Sequence, residues 1–165
     1  MNAQQLESIL RLDQNVSKKF AGVFAADTLP SNLSNLPKFL IVNSDVHSGP
    51  GQHWLALYIP EKGPSEFFDS LGLSPKHYLK SFEQFLINYG PKYIYSNKRL
   101  QNYDSNTCGL FVLYYVILRC KGYNMQDIVN HFSSNLAQND ILALNSVHTF
   151  MRNVYWNGTN EMKEM

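Results

Sequence analysis

The sequence predicts a fold that combines a β-sheet with α-helices, and two stretches carry most of that prediction. Residues 52–60 and 66–69 are β-rich runs separated by a turn that contains Gly and Pro, which is the pattern of a β-hairpin. Residues 108–119 are almost all apolar and contain no proline, as expected for a helix that is buried on every side. With 165 residues, 44% of them hydrophobic, the chain is large enough to bury a core, and we predict a single domain over residues 1–165.

The first part of the chain is predicted to hold one short helix and one buried strand. Residues 2–12 have apolar side chains at helical spacing, whereas residues 38–43 are a β-rich run. Residues 20–30 form an apolar segment of irregular pattern that ends in a proline, and residues 44–51 form a loop rich in glycine.

The strand at 52–60 alternates between two faces, with one face formed by His53, Leu55, Leu57 and Ile59 and the other by Trp54, Ala56 and Tyr58. A turn at 61–65 closes the hairpin, so the start of its first strand and the end of its second strand meet at the open end. His53 lies at that start and Asp69 at that end. We therefore predict that the two side chains are neighbours.

The second half of the chain is predicted to be mainly helical. Residues 75–89 carry an aromatic and aliphatic stripe at helical spacing, and residues 93–95 look like a further strand. Residues 125–132 are predicted to form a short helix, and a last helix runs from 139 to about 154. The tail at 156–165 is polar, and we expect it to be loose.

Cys108 stands where the polar loop at 101–107 meets the apolar helix. The loop ends in Ser, Asn and Thr, which are N-cap residues, so the helix should begin at or just before Cys108. A thiol at a helix N-terminus has a lowered pKa, and the thiolate is the reactive form. Gly109 leaves room for another chain to approach. A free cysteine in an apolar run is more often inert packing, which suits Cys120, but the setting of Cys108 indicates a nucleophile.

Nucleophilic catalysis by cysteine needs a base, a group that orients the base, and donors for the oxyanion. The chain offers His53 as the base, Asp69 as the orienting group, and the side-chain amide of Gln101 together with the backbone N–H of Cys108 as oxyanion donors. Plainer interpretations stay open from the residues alone. Asp69 can be a turn cap, Gln101 a loop amide, and the other four histidines surface or packing residues.

Composition limits the other function classes. A net charge of +1 provides no strong attraction to nucleic acid or to a membrane surface. Two cysteines give neither a disulfide framework nor a zinc ligand set, which suits a reducing compartment and predicts no metal site. The first residues lack the basic start and apolar core of a signal peptide, and the apolar run at 110–118 is too short to cross a bilayer. We expect a protein that is not secreted.

Several short motifs occur in the order in which they occur in one known family. Six of them lie at 20–24, 27–30, 41–43, 51–54, 67–72 and 139–140. The remaining motif consists of Gln101 and the segment 108–111, which begins seven residues after it. On these motifs the chain resembles the adenovirus-type cysteine proteases, the adenain family, and especially the versions carried by Maverick/Polinton elements and related viruses. The pairing of His-Trp with Gln-x6-Cys-Gly is the most specific part of the resemblance.

The resemblance implies an α+β fold, a papain-like arrangement permuted in sequence, with a central mixed β-sheet packed on a buried helix that starts at the catalytic Cys108. It implies a hydrolase of the thiol protease class, with the triad Cys108, His53 and Asp69 and the oxyanion donor Gln101. The substrates would be precursor proteins of a virus or virus-like element, cut at glycine-containing sites. The enzyme would act in the virion and in the nucleus or cytoplasm of the host cell.

Substrate contacts are predicted at three residues near the expected nucleophile and base. Gly51 belongs to the glycine-rich loop before His53, and Gly109 follows the nucleophile directly. Trp54 is the third, although a packed core position is the favoured interpretation of its indole, which would also shield the catalytic ion pair from water.

Two features depart from the adenovirus enzymes. Those enzymes carry Glu where this chain has Asp69, whereas the Maverick-type and SUMO-protease relatives are similar to this chain in using Asp. The adenovirus enzymes are also basic, and DNA and a viral peptide stimulate them. This chain is nearly neutral, and Cys120 lies on the predicted core helix rather than at a site for a peptide disulfide. The sequence therefore favours neither activator, and we predict no cofactor.

Three alternatives remain open on the same residues. SUMO or ubiquitin-like-protein isopeptidases resemble the chain at His-Trp, Phe-Asp-Ser-Leu and Gln…Cys-Gly, but they often carry Asp where this chain has Thr107. An acyltransferase can use the same triad and pass the acyl group to an amine or hydroxyl, although no basic cluster of the inositol-phosphate-binding kind supports it. A binding module with an inert cysteine is the non-enzymatic alternative.

Overall fold

The computed structural model describes residues 1–161 of the chain, with side chains over residues 1–155. In that part the helices are α1 (Ala3–Arg11), α2 (Gln14–Lys19), α3 (Lys80–Asn88), α4 (Cys108–Cys120), α5 (Met125–Asn130) and α6 (Leu136–Glu161), with a 3₁₀ turn at Pro75–His77. The strands are β1 (Phe20–Phe24), β2 (Lys38–Asn43), β3 (Trp54–Ile59), β4 (Ser65–Phe68) and β5 (Tyr93–Tyr95).

The five strands form one mixed sheet in the order β1-β2-β3-β4-β5. The three central strands are antiparallel, while β1 pairs with β2 and β5 pairs with β4 in parallel. The predicted hairpin is confirmed as β3–β4, with Ala56 opposite Phe68 and Tyr58 opposite Glu66. This register leaves the residue before β3 and the residue after β4 at the same end of the sheet.

Each face of the sheet packs against its own layer of helices, which makes the fold a mixed α/β arrangement of three layers. Helices α1, α2, α4, α5 and α6 share one apolar cluster with one face, and α3 packs against the other face. The alternation predicted for β3 is confirmed. Trp54, Ala56 and Tyr58 join the first cluster, whereas Leu55, Leu57 and Ile59 join the second.

Helix α4 is the buried helix that the sequence predicts, and it begins at Cys108 with Thr107 as its N-cap residue. It packs against β3 and against α1, α2, α5 and α6, so apolar side chains on all its faces are covered. Gly122 follows its end with φ of 98°, a conformation that favours glycine. No helix in the part of the chain that the structure describes is long and apolar enough to cross a membrane.

A buried carboxylate on β4, that of Glu66, links the sheet to α4 through hydrogen bonds. Glu66 of β4 is 4% exposed, and its carboxylate accepts hydrogen bonds from the Tyr115 hydroxyl and from the Arg119 guanidinium, the latter at 2.8 and 3.0 Å. The Arg119 guanidinium also lies over the ring of Tyr58, 4.5 Å from its centroid. The charge of Glu66 is therefore paired inside the fold.

Two predictions for the first 90 residues need correction, and helix α2 has no counterpart among the predicted elements. Residues 20–24 form the edge strand β1 and not an irregular segment, and residues 14–19 form helix α2, which Asp13 caps through the backbone N–H groups of Asn15 and Val16. The helix expected at 75–89 is divided, because the backbone at Tyr78 and Leu79 is extended before α3 starts.

Helix α6 is longer at both ends than the sequence predicts. It begins at Leu136 because Asn135 caps it, accepting a hydrogen bond of 3.2 Å from the backbone N–H of Gln138. It continues to Glu161, so the loose tail expected at 156–165 is wrong for its first six residues. Residues 162–165 of that tail lie outside the described residues.

Candidate active site

The hairpin brings His53 and Asp69 together, as the sequence predicts. His53 precedes β3 directly, Asp69 follows β4 directly, and His53 Nε2 lies 2.7 Å from Asp69 Oδ1. Asp69 is fully buried and His53 is largely buried. Because Nε2 is engaged by the carboxylate, Nδ1 is the ring nitrogen that is left for the thiol.

The Asp69 carboxylate is held by four donors. Oδ1 accepts from the backbone N–H of Leu71 at 2.8 Å in addition to His53. Oδ2 accepts from the backbone N–H of Leu73 at 3.1 Å and from the hydroxyl of Tyr78 at 2.8 Å. A fully buried carboxylate needs such partners, because burial without them would be costly.

Cys108 lies in the first turn of α4 and lines the same cleft as His53, close enough for each side chain to shift the pKa of the other. Burial alone would lower the pKa of His53, but the hydrogen bonds and negative charges of Asp69 and Cys108 outweigh it and raise that pKa to about 9. Burial alone would raise the pKa of Cys108, but His53 and the backbone N–H groups of Trp54 and Gly109 lower it overall. The geometry therefore favours a thiolate–imidazolium pair.

Cys120 shows the opposite behaviour at the other end of the same helix. Burial raises the pKa of its thiol to about 11. Its partly buried side chain packs against the main apolar cluster, in agreement with the inert role expected from the sequence. The two cysteines therefore differ strongly in their readiness to ionise.

Gln101 lies in the same cleft as Cys108 and is 4% exposed. Its Oε1 accepts a hydrogen bond of 2.7 Å from the hydroxyl of Ser70, which fixes the orientation of the amide. Its Nε2 donates to the backbone carbonyl of Ser105 at 2.7 Å, and an amide nitrogen carries a second N–H. That second N–H is the group that can serve an oxyanion.

The start of α6 holds the loop that runs from Gln101 to Cys108. The amide of Asn139 is buried and donates to the backbone carbonyls of Leu100 and Ser133, both at 3.0 Å. Asp140 accepts a hydrogen bond of 2.8 Å from the hydroxyl of Thr107, the residue before the nucleophile. Asn139 and Asp140 thus clamp the two ends of the loop, and we call this pair the α6 clamp.

The cleft has a volume of about 930 Å³ and is open to solvent. His53, Cys108 and Gln101 line its floor, and the loop at 43–51 forms one wall. Gly51 lines this wall with φ of 83°, and a Cβ there would lie 3.3 Å from the Asn43 amide. A side chain at Gly51 would therefore be strained as well as crowded.

The other two residues predicted to contact substrate have different settings. Trp54 lines the cleft, packs against the main apolar cluster, and donates from Nε1 to the backbone carbonyl of Met1 at 3.0 Å. Gly109 does not line the cleft, because a Cβ there would face Met1 at 3.1 Å and Leu6 at 3.5 Å. The contribution of Gly109 to the site is its backbone N–H near the thiol.

Three residues that the sequence reasoning missed support the site. Tyr78 bonds Asp69, Ser70 bonds Gln101, and the Ser96 hydroxyl bonds both the backbone N–H and the backbone carbonyl of Asp69, at 2.8 and 2.9 Å. Ser70 follows Asp69 directly, which is the one available signal. Nothing in the pattern around Tyr78 distinguishes it from an ordinary helix-stripe aromatic.

No group of three or more His, Cys, Asp and Glu side chains that could hold a metal ion occurs among the residues that the structure describes.

The chain is similar to solved structures in fold, at sequence identities of 16% and 18%. No protein-family model and no curated protein matches the chain. Among solved structures, the central domain of the uncharacterized Lpg1148 protein from Legionella pneumophila is similar, with a TM-score of 0.54 and 16% identity over 93% of this chain and 98% of that chain. The ASFV pS273R protease aligns with a TM-score of 0.45 and 18% identity over 64% of this chain. The alignment spans 43% of that protease, less than half of its length.

Proposed function

We propose that the protein is a cysteine endopeptidase that uses Cys108 as nucleophile and His53 as general acid and base. The observation that carries the proposal is the convergence of three groups on one open cleft. These are a thiol with a lowered pKa, an imidazole held by a buried carboxylate, and an oriented glutamine amide. The thiol can act as the nucleophile, the imidazole can transfer the proton, and the amide can stabilise the oxyanion, which are the groups that thiol catalysis requires.

Acylation begins with attack of the Cys108 thiolate on the carbonyl carbon of the scissile peptide bond. The C–S bond forms, and the negative charge moves to the carbonyl oxygen, where the second N–H of Gln101 and the backbone N–H of Cys108 stabilise it. The imidazolium of His53 then gives its proton to the amide nitrogen. The C–N bond breaks, the amine leaves, and a thioester remains on Cys108.

Deacylation reverses these roles with water as the nucleophile. Neutral His53 takes a proton from water while the oxygen attacks the thioester carbonyl. The C–S bond breaks, the acid product leaves, and the proton on His53 restores the thiolate–imidazolium pair. Asp69 takes no proton in these steps, and its hydrogen bond to Nε2 leaves Nδ1 as the ring nitrogen that can exchange a proton with the substrate and water.

The finer assignment is to the adenain family, with a papain-like arrangement permuted in sequence. Its support is the ordered set of motifs, together with the buried helix that begins at Cys108 and packs on the mixed sheet. On that assignment the substrates are precursor proteins of a virus or virus-like element, cut at glycine-containing sites. The place of action is the virion and the nucleus or cytoplasm of the infected cell.

The cleft chemistry supports an uncharged peptide segment as the bound substrate. The ionisable side chains that line the cleft among the described residues are those of Cys108, Tyr103 and two histidines, His47 and His53, without a lysine, arginine or carboxylate. The wall toward β1 is largely apolar and includes Val23 and Phe24. Neither feature favours DNA as an activator that binds in the cleft.

Iodoacetamide alkylation followed against pH tests the proposal. The variant Cys120→Ser removes the other thiol and is compared with the same chain carrying His53→Ala or Cys108→Ser. We expect Cys108 to react well below pH 7 in a manner that needs His53. The proposal would be overturned if the alkylation rate of Cys108 rose with a midpoint near pH 8.5 and was the same in His53→Ala, because an unperturbed cysteine ionises at that pH.

Substrate profiling tests the endopeptidase assignment separately from thiol activation. Internally quenched peptides with and without glycine near the centre are incubated with the wild type and with Cys108→Ser. We expect cleavage inside the peptide by the wild type alone. Release of a ubiquitin-like protein from a lysine side chain without cleavage of peptides would favour an isopeptidase, and transfer of the acyl group to an added amine in preference to water would favour an acyltransferase.

A further inference from the structure

We propose that Tyr78 is a positioning residue of this site: its hydroxyl fixes the Asp69 carboxylate so that the imidazole of His53 is held against Cys108. The inference rests on the proposed function, because it concerns the same triad. It adds a fourth side chain, which comes from the segment between the 3₁₀ turn and α3 and not from the hairpin or from α4.

The geometry of the Asp69 carboxylate carries this inference. His53 and Leu71 engage Oδ1, while Leu73 and Tyr78 engage Oδ2. The two backbone N–H donors belong to the turn that follows Asp69 itself. His53 and Tyr78 are the donors from outside that turn, and the 2.8 Å bond from Tyr78 to Oδ2 helps to fix the rotation of the carboxylate. That rotation determines where Oδ1 lies, and Oδ1 is the atom that holds His53 Nε2 at 2.7 Å.

Packing holds the Tyr78 ring in the position that this bond needs. Its centroid lies 6.0 Å from that of Phe67 and 6.2 Å from that of Phe82, and its plane is within 16° of the His53 ring plane at 6.4 Å. The ring therefore lies next to both members of the pair that it positions. A phenylalanine would keep this packing and lose the hydroxyl alone, which makes the substitution informative.

The hydroxyl is suited to act as a constant donor. Burial and the negative charge of Asp69 raise the pKa of Tyr78, so the hydroxyl keeps its proton across the range in which the triad works. A hydrogen bond to a charged acceptor is also stronger than one between neutral groups. The carboxylate therefore has the same partner at every stage of the reaction.

The test compares Tyr78→Phe with Tyr93→Phe, both in the Cys120→Ser chain. Tyr93 is a matched control, because its hydroxyl also donates to a carboxylate at 2.8 Å, that of Glu83, and neither residue lines the cleft. For Tyr78→Phe we expect kcat to fall by about 10-fold with little change in KM, as for loss of a hydrogen bond to a charged group. We expect Tyr93→Phe to match the parent chain.

A second measurement separates positioning from packing and does not need activity. The His53 imidazole is titrated by NMR in the three chains, and Cys108 alkylation is followed against pH. We expect the pKa of His53 to fall in Tyr78→Phe, because a carboxylate that has lost one of its two Oδ2 donors is held less firmly and pairs less well with the imidazolium. An unchanged His53 titration together with an unchanged kcat would overturn the inference while leaving the proposed function intact. Failure of the parent chain to show an activated thiol would count against the proposed function, and the His53 titration would still decide the role of Tyr78.

Discussion

The imidazole of His53 and the carboxylate of Asp69 are joined by a 2.7 Å hydrogen bond across the open end of the β3–β4 hairpin. Sixteen residues separate the two in sequence, but the sheet register alone brings them to one place. Ala56 pairs with Phe68 as the outermost pair, so Asp69 is the first residue beyond the ladder on its side. The rigid sheet therefore defines half of the site before the nucleophile is added.

We expect a bell-shaped pH–rate profile in which activity falls at alkaline pH with a midpoint near pH 9 (the alkaline limb). Hydrolysis needs thiolate and imidazolium together, so the rate rises as Cys108 ionises and falls as His53 loses its proton. Because the pKa of His53 is raised to about 9, the fall lies there. The measurement is kcat/KM against pH on a quenched peptide substrate.

The variant Asp69→Asn checks the cause of that limb. It keeps the size of the side chain and removes the negative charge, which is one cause of the raised pKa of His53. We expect the alkaline limb to move to lower pH and kcat to fall. A limb that stays near pH 9 in this variant would show that Asp69 does not set it.

Gln101→Leu should separate hydrolysis from thiol reactivity. The substitution removes the amide that can serve the oxyanion, and loss of one such donor lowers kcat by about 10²–10³, or about 2.7–4 kcal/mol. Alkylation by iodoacetamide forms no tetrahedral oxyanion, so the Cys108 alkylation rate should change little. Equal losses in both assays would instead mean that Gln101 supports the structure of the site.

Ser70→Ala, which removes the hydrogen bond that orients the Gln101 amide, should lower kcat by a smaller factor than Gln101→Leu.

The α6 clamp should affect catalysis from outside the cleft. Asp140→Ala removes the acceptor of the Thr107 hydroxyl at 2.8 Å and loosens the residue that precedes Cys108. In a double-mutant cycle with Thr107→Val we expect a coupling of about 0.5–3 kcal/mol in kcat/KM. Asp104→Ala, at an exposed position of the same loop, is the control and should leave kcat/KM close to that of the wild type. Strictly additive effects of Asp140→Ala and Thr107→Val would show that the clamp does not act through this bond.

Arg119→Met should destabilise the fold strongly. It leaves the Glu66 carboxylate buried without its guanidinium partner, and breaking such a pair costs about 3–5 kcal/mol. Urea unfolding at neutral pH measures the change in the free energy of unfolding. Glu7→Gln breaks the exposed Arg11–Glu7 pair and should cost at most about 0.5 kcal/mol. A small effect of Arg119→Met would mean that water or another cation satisfies Glu66.

The sequence predicts the half of the site that depends on local structure. Alternation along β3 and the turn after it are enough to place His53 near Asp69, and the change from polar loop to apolar helix is enough to place Cys108 at a helix start. These features depend on residues that are close in the chain. The approach of Cys108 to His53 depends on the packing of α4 against the sheet, and the family resemblance supplied that expectation.

The elements that the sequence does not predict depend on distant partners or on weak local signals. The edge strand β1 is short and contains Gly22, and its parallel pairing with β2 involves residues about 20 positions away. Helix α2 has six residues, of which only Val16 is buried, so it has little apolar periodicity. Tyr78 stands at helical spacing with Phe82, yet it lies in the extended segment before α3, where it can reach Asp69.

The division of the site between a hairpin and a helix has a consequence for biosynthesis. A ribosome delivers the hairpin first, and Cys108 emerges some 40 residues after Asp69, followed by the long α6 that completes the core. Until α4 is enclosed by those later segments, the nascent chain carries an ordinary thiol without an imidazolium to ionise it. Under the proposed function, the thiol would therefore become reactive only after the segments that enclose α4 have been synthesised.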